Sequence, residues 1–110
     1  MESSIILKQI FFTNYDKIKF DILTLENVIL VLLKNENSIS NSQIITILND
    51  ASCNIFQDNI AIALNTMIYF LEKNESYSID KVLKNIFAII CNEKRRKLKY
   101  DYYKSIIWNL

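Results

Sequence analysis

Three observations predict an all-α fold. Apolar residues recur at helical spacing along almost the whole chain, and Asn, Ser and Asp punctuate that pattern where helix caps belong. The 110 residues also contain no Gly and no Pro. Two-residue hairpins want Gly at positive φ, so a hairpin-built sheet is disfavoured, and a chain without either breaker can run as helix after helix. The length fits a single domain, 1–110, and the pattern predicts a compact bundle of about six helices.

The elements follow in order. A first helix is expected over residues 4–12. Residues 14–23 carry Ile18, Phe20 and Ile22 in alternation, as a short strand would, and read as a loop or a helix extension. A second helix is expected over 25–35, with Thr24 as its N-cap. The third, over 41–50, is announced by Ser40 and Gln43 in the S-x-x-Q order of a capping box. The fourth, over 59–73 behind an Asp58 cap, has Ile60, Leu64, Met67, Ile68 and Leu71 on one face. The fifth, over 80–98 behind Ser78, turns Val82, Leu83, Ile86, Phe87 and Ile90 inward. The sixth runs from Asp101 to the end. No linker, low-complexity tract or heptad run is evident.

An offset of 77 residues lays one end of the chain on the other. Ile5 and Ile6 fall on Val82 and Leu83, Ile10 on Phe87, and Ile29 and Leu30 on Ile106 and Ile107. This suggests a duplicated helical repeat, the first copy over 3–73 and an incomplete second over 78–110. The competing explanation is that any two helical patterns of equal period slide into register.

The composition also bounds function. Without Gly there is no phosphate-cradling loop, dinucleotide fingerprint or nucleophile elbow. Without His there is no Ser-His or Cys-His couple and no His-bearing zinc site. The carboxylate pairs Asp16 with Asp21 and Glu72 with Glu75 have no evident apolar setting or organising partner, so an enzyme is not expected, and neither is a cofactor or metal. Ile occurs 20 times, Asn 13 and Lys 11, against four Ala, the mark of an AT-rich genome. Cys53 and Cys91 stand 38 residues apart among apolar neighbours and read as reduced, core or half-buried thiols. With an acid at Glu2, no secretory signal and no run of ~20 apolar residues, the expectation is a soluble intracellular protein, of the cytoplasm or an organelle stroma such as a plastid or apicoplast.

The run Leu25-Glu26-Asn27-Val28-Ile29-Leu30-Val31-Leu32-Leu33 resembles the T-E-H-L-L-L-A-L-L signature of the Clp N-terminal repeat domain, found at the front of Clp-type AAA+ unfoldases. The polar break at 34–40 and the following helix with Ile44, Ile45, Ile47 and Leu48 fit the same family. Asn27 stands where the family has His, Leu25 where it has Thr, and the Gly closing the third helix is missing. The resemblance implies a duplicated four-helix repeat that receives clients or adaptors, without ATPase chemistry, in an apolar groove between repeats. By position it points to Ile6, Ile10, Leu83, Phe87 and Ile106 at that groove. Glu26 would help fix the start of the second helix near the substrate-facing surface; an acid in a first helical turn is also favoured by the macrodipole alone.

Two further features invite contact readings. Residues 94–110 carry six bases and one acid, net +5, whereas residues 1–93 carry seven bases and eleven acids, net −4. The cluster around Arg95 and Arg96, with Tyr100, Tyr102 and Tyr103 beside it, could contact nucleic acid or an acidic partner; a solvated helix end is the favoured reading, and nucleic acid is not the expected partner. The last helix concentrates Tyr103, Ile107 and Trp108 into a patch that a second copy, or further sequence after Leu110 in a longer protein, would cover. The alternative to the chaperone module is a viral helical regulator of the apoptosis-regulator or death-domain kind.

Overall fold

The computed structural model describes residues 2–109. Among them are four helices and no strand: α1 Glu2–Lys34, α2 Asn41–Ser52, α3 Asp58–Lys73 and α4 Ile79–Trp108. The fold is all-α, with four helices rather than six. The first two expected helices and residues 14–23 fuse into α1, and the fifth and sixth fuse into α4. The place of Leu110 in the last helix lies outside the described residues.

The fusions have local causes. Ile18 and Ile22 are four apart and both buried, while Phe20 between them is exposed, so the alternation that resembles a strand also completes a helical stripe. Thr24 is no cap. Its Oγ1 donates to the Phe20 carbonyl one turn back, 3.1 Å away, the usual mid-helix use of a hydroxyl. Around Asp101 the helix is bridged rather than broken, because Lys97 and Asp101 pair across one turn at 3.1 Å.

The shorter helices follow their caps more closely. At α2 the capping box is complete: Gln43 N donates to Ser40 Oγ and Ser40 N donates to Gln43 Oε1 at 2.8 Å. The N-cap of α3 is Gln57, not Asp58, and its own side chain makes no capping bond. Ser78 is the N-cap of α4 without a side-chain bond. Before α4, Asn74 Oδ1 accepts from Ser76 N and Oγ, a turn that seats buried Tyr77 against Phe70.

The two long helices, about 50 and 45 Å by their residue counts, run antiparallel. Glu26 meets Lys94, Tyr15 meets Asp101 and Phe12 meets Trp108. The α2–α3 hairpin covers only one end of this pair and makes with it a compact four-helix body. Leu25, Val28, Leu32, Ile44, Leu48, Ile60, Leu64, Met67, Val82 and Ile86 fill its core. Beyond the body α1 and α4 continue together as a two-helix arm, and the molecule measures 56 × 19 × 17 Å.

A heptad does run through both long helices. On α1 it comprises Leu7, Phe11, Asn14, Ile18, Asp21, Leu25, Val28 and Leu32; on α4, Val82, Ile86, Ile89, Glu93, Arg96, Tyr100, Tyr103 and Ile107. Its polar members hide it from a scan for apolar residues. Burial fades along it, from Leu32 and Val82 in the body to exposed Leu7 and Tyr103 in the arm. The 77-residue offset does lay α1 on α4, yet it pairs exposed Ile5 and Ile6 with buried Val82 and Leu83, and buried Ile29 with exposed Ile106.

Candidate functional site

Where the body ends and the arm begins, the heptad turns polar. Asp21 is 0% exposed, and its carboxylate accepts from Phe56 N at 2.8 Å, Gln57 N at 3.0 Å and Gln57 Nε2 at 2.9 Å. An acid on α1 thus binds the backbone N–H groups at the entry to α3 from outside, where its charge also suits the positive end of the helix dipole. Glu93, 1% exposed, accepts from Arg96 Nη1 at 3.0 and 2.9 Å and from Gln57 Nε2 at 3.3 Å. Arg96 Nη1 also donates to Gln57 Oε1 at 2.7 Å. The girdle ties α1, α3 and α4 together, and every buried side-chain polar atom among the described residues is paired. Asp21 is therefore buried and does have organising partners, contrary to expectation. Those partners are two backbone N–H groups at the entry to α3 and the Gln57 side-chain amide, so the carboxylate is engaged in holding α1 to α3.

Two apolar grooves flank this girdle. One, of about 750 Å³, lies between α1 and α2 and is closed by the α2–α3 loop. It exists because α2 packs more closely on α3 than on α1. Phe20, Leu23, Val31 and Phe56 wall it, all exposed, with the Phe20 and Phe56 rings 5.9 Å apart. Thr24, Asn27, Asp50 and Asn54 supply polar groups along it. The second, about 440 Å³, is the seam of the arm. It is lined by Leu7, Ile10 and Phe11 of α1 and by Tyr100, Tyr103, Ile106 and Ile107 of α4, with Lys99 its one charged member.

The other seam of the arm is ionic. Tyr15 Oη donates to Asp101 Oδ1 at 2.7 Å, Lys97 pairs with Asp101, and the ammonium groups of Lys19, Lys97 and Lys104 lie 5.3–5.6 Å from the Tyr15 ring centre. The hydrogen bonds from Tyr15 and then Lys97 hold the Asp101 carboxyl below the usual carboxylate range. The same bond to Asp101 raises the Tyr15 phenol, and pairing with Asp101 raises the Lys97 ammonium.

No family model, no curated protein and no solved structure matches the chain. Its site is therefore read from its own geometry. Among the described residues no group of three or more His, Cys, Asp or Glu could hold a metal ion, and no helix is long and apolar enough to cross a membrane.

The residues singled out in the sequence scatter. Ile10 and Ile106 share the arm groove with Tyr103 and Ile107, and Ile6 is exposed on the same stretch of α1. Leu83 is in the body core and unavailable to a ligand, while Phe87 is exposed on α4. Glu26 begins no helix: it lies well inside α1, toward its C-terminal end, and pairs with Lys94 at 3.2 Å. Arg95 is exposed, but Arg96 is half-buried and belongs to the girdle rather than to a solvated cluster. Trp108 parts from Tyr103 and Ile107, resting edge-on against Phe12 with Lys8 over its ring. Cys53 and Cys91 are free and exposed rather than core, because one ends α2 as its C-cap and the other lies on the outside of α4. Sequence reasoning missed the α1/α2 groove and Glu93. The groove's signal was a surplus: Phe20, Leu23 and Val31 are apolar but fall outside the inward stripe of their helix.

Proposed function

We propose that the chain is a non-catalytic protein-binding module that receives an apolar helical segment of a client or adaptor in the α1/α2 groove. The supporting observation is the groove itself. Its exposed Phe20, Leu23, Val31 and Phe56 offer anchor pockets to a helix carrying apolar residues at i, i+3 or i+4, and i+7. Polar groups along its length, Asn27 and Asp50 among them, can fix the orientation of such a segment. The paired state of Asp21 and Glu93 also favours binding over catalysis, since both carboxylates are committed to holding helices together.

Two finer forms of this reading differ in parentage. In the Clp-type form, suggested by residues 25–33, the module serves an AAA+ unfoldase, and ATPase motifs encoded in the same or a neighbouring reading frame would favour it. In the helical-regulator form the α1/α2 groove is the whole working surface.

Panning a library of amphipathic helical peptides tests the common reading. Selected peptides should lose at least about tenfold in affinity on Leu23→Asp or Val31→Asp, the size of effect expected at a central anchor. Both positions are exposed, so the variants should keep the wild-type helical signal. Binders indifferent to both substitutions, or no enrichment over the double variant, would overturn it.

A further inference from the structure

The body and the arm are built on one heptad, but only the body has its second layer. From Leu25 to Leu32 on α1 and from Val82 to Ile89 on α4 the seam is filled by α2 and α3. Past the girdle the same seam continues as Leu7, Ile10, Phe11, Tyr100, Tyr103, Ile106 and Ile107 with nothing over it. Leu7, Ile10, Tyr103 and Ile106 remain 48%, 55%, 51% and 53% exposed. Such a seam calls for an occupant two helices wide, apolar on one face and as long as the arm.

We propose that this occupant is a second copy of the chain, its arm packed groove to groove against the first about a twofold axis, so that the two arms complete a second four-helix bundle. The patch is self-complementary in the way an isologous contact requires, since each arm is at once the groove and the missing layer. Large apolar side chains present on the order of 150–250 Å² when free, and these seven are about half exposed or less, so closing what remains removes on the order of 600 Å² per copy. Two copies then bury about 1,200 Å², the lower edge of specific, stable interfaces.

Charge favours the same occupant. The groove holds one cation, Lys99, whose stem can lie along the seam while its ammonium reaches water. Lys19, Lys94 and Lys97 line a separate pocket, on the other seam, with Glu26 and Asp101. Two arms joined through the apolar seam therefore keep their bases apart and solvated. A nucleic acid or an anionic membrane would instead be drawn to that cationic side and would leave the apolar seam uncovered.

Sedimentation equilibrium of the full chain, in a variant with Cys53 and Cys91 replaced by Ser, tests the proposal. A dimer should form with a dissociation constant in the micromolar range. Ile106→Asp should weaken it at least tenfold, and the milder Ile10→Ala with Ile106→Ala should do so without loss of helical signal. Val31→Asp, in the other groove, should leave the dimer intact, so peptide capture and self-association fail separately. A strict monomer at about 100 μM overturns the proposal, whether or not it then binds anionic vesicles or oligonucleotides. So does a dimer indifferent to both Ile106 variants.

Discussion

The body and the arm use the same two helices in the same register, yet one hides its seam and the other exposes it. Val28 and Leu7 occupy the same heptad position of α1, three heptads apart; Val28 is 5% exposed and Leu7 is 48%. Nothing in their immediate neighbours accounts for that. The difference is made by residues 41–73, whose two short helices reach only as far as the girdle of Asp21, Gln57, Glu93 and Arg96. A long helix pair is therefore no core by itself. Its stripe becomes a core where a second layer arrives, and elsewhere it becomes a contact surface.

The sharpest test of this division lies at the girdle, in two adjacent arginines. Arg96→Ala leaves buried Glu93 with only the Gln57 Nε2 bond at 3.3 Å and takes the donor from the half-buried Gln57 side-chain oxygen. Removing one partner of a buried ion pair costs about 3–5 kcal/mol, and the low end applies here because Arg96 is itself 39% exposed and water can replace it in part. Arg95→Ala, one residue away and exposed, should change stability by no more than about 0.5 kcal/mol. Urea unfolding of the two variants decides the matter. Equal effects would mean that the girdle does not bind the arm to the body.

How much of this was legible in the sequence follows the same line. Ser40 and Gln43 announced α2 because both halves of a capping box lie within four residues. The stripe from Ile60 to Leu71 announced α3 because every member faces one core. The continuity of α1 and α4 was hidden, since Thr24 resembles a cap until its hydroxyl is seen bonding backward to Phe20. The girdle was hidden more deeply. Asp21 acts on Phe56 and Gln57, 35 and 36 residues away, and no local pattern can report a contact supplied by another helix. Ile10 and Ile106 were reached and do share a groove; Leu83 and Phe87 were not separable as core and surface, because both lie on apolar stretches of α4.

One truncation to Ala in each region sharpens the comparison further. Leu25→Ala should open a cavity among Leu64, Ile86 and their neighbours and cost about 2–5 kcal/mol. Ile10→Ala, measured on dilute protein so that any dimer is dissociated, removes atoms that are half in water already and should cost less than about 1 kcal/mol. Thermal melts of both variants at matched low concentration give the ratio. A large loss at Ile10 in the monomer would mean that the arm closes on itself, and the exposed seam would lose its meaning.

The smallest effect belongs to the ionic seam of the arm and is read through pH. The Asp101 carboxyl is held below its usual value, first by the Tyr15 hydroxyl and then by Lys97. A depressed carboxylate stabilises the folded chain fully above the ordinary Asp value of about 3.9 and loses that contribution as pH falls below it. Tyr15 and Lys97 are both raised. Their contribution is complete below their ordinary values near 10 and is lost as pH rises through the raised ones. The arm should therefore hold its seam between about pH 4 and pH 10 and loosen on either side. The Asp101 and Lys97 side chains are 37% and 35% exposed, so solvent screening limits the effect to under about 1 kcal/mol. An NMR titration that follows the Asp101 carboxyl and the Tyr15 ring protons resolves so small a term where a global melt does not. Asp101 should titrate below the ordinary value, the Tyr15 ring should report the same acid step, and Asp101→Asn should abolish that step. A carboxyl titrating at or above about 3.9, or a Tyr15 response that survives Asp101→Asn, would show that the two helices of the arm are joined by their apolar contacts alone.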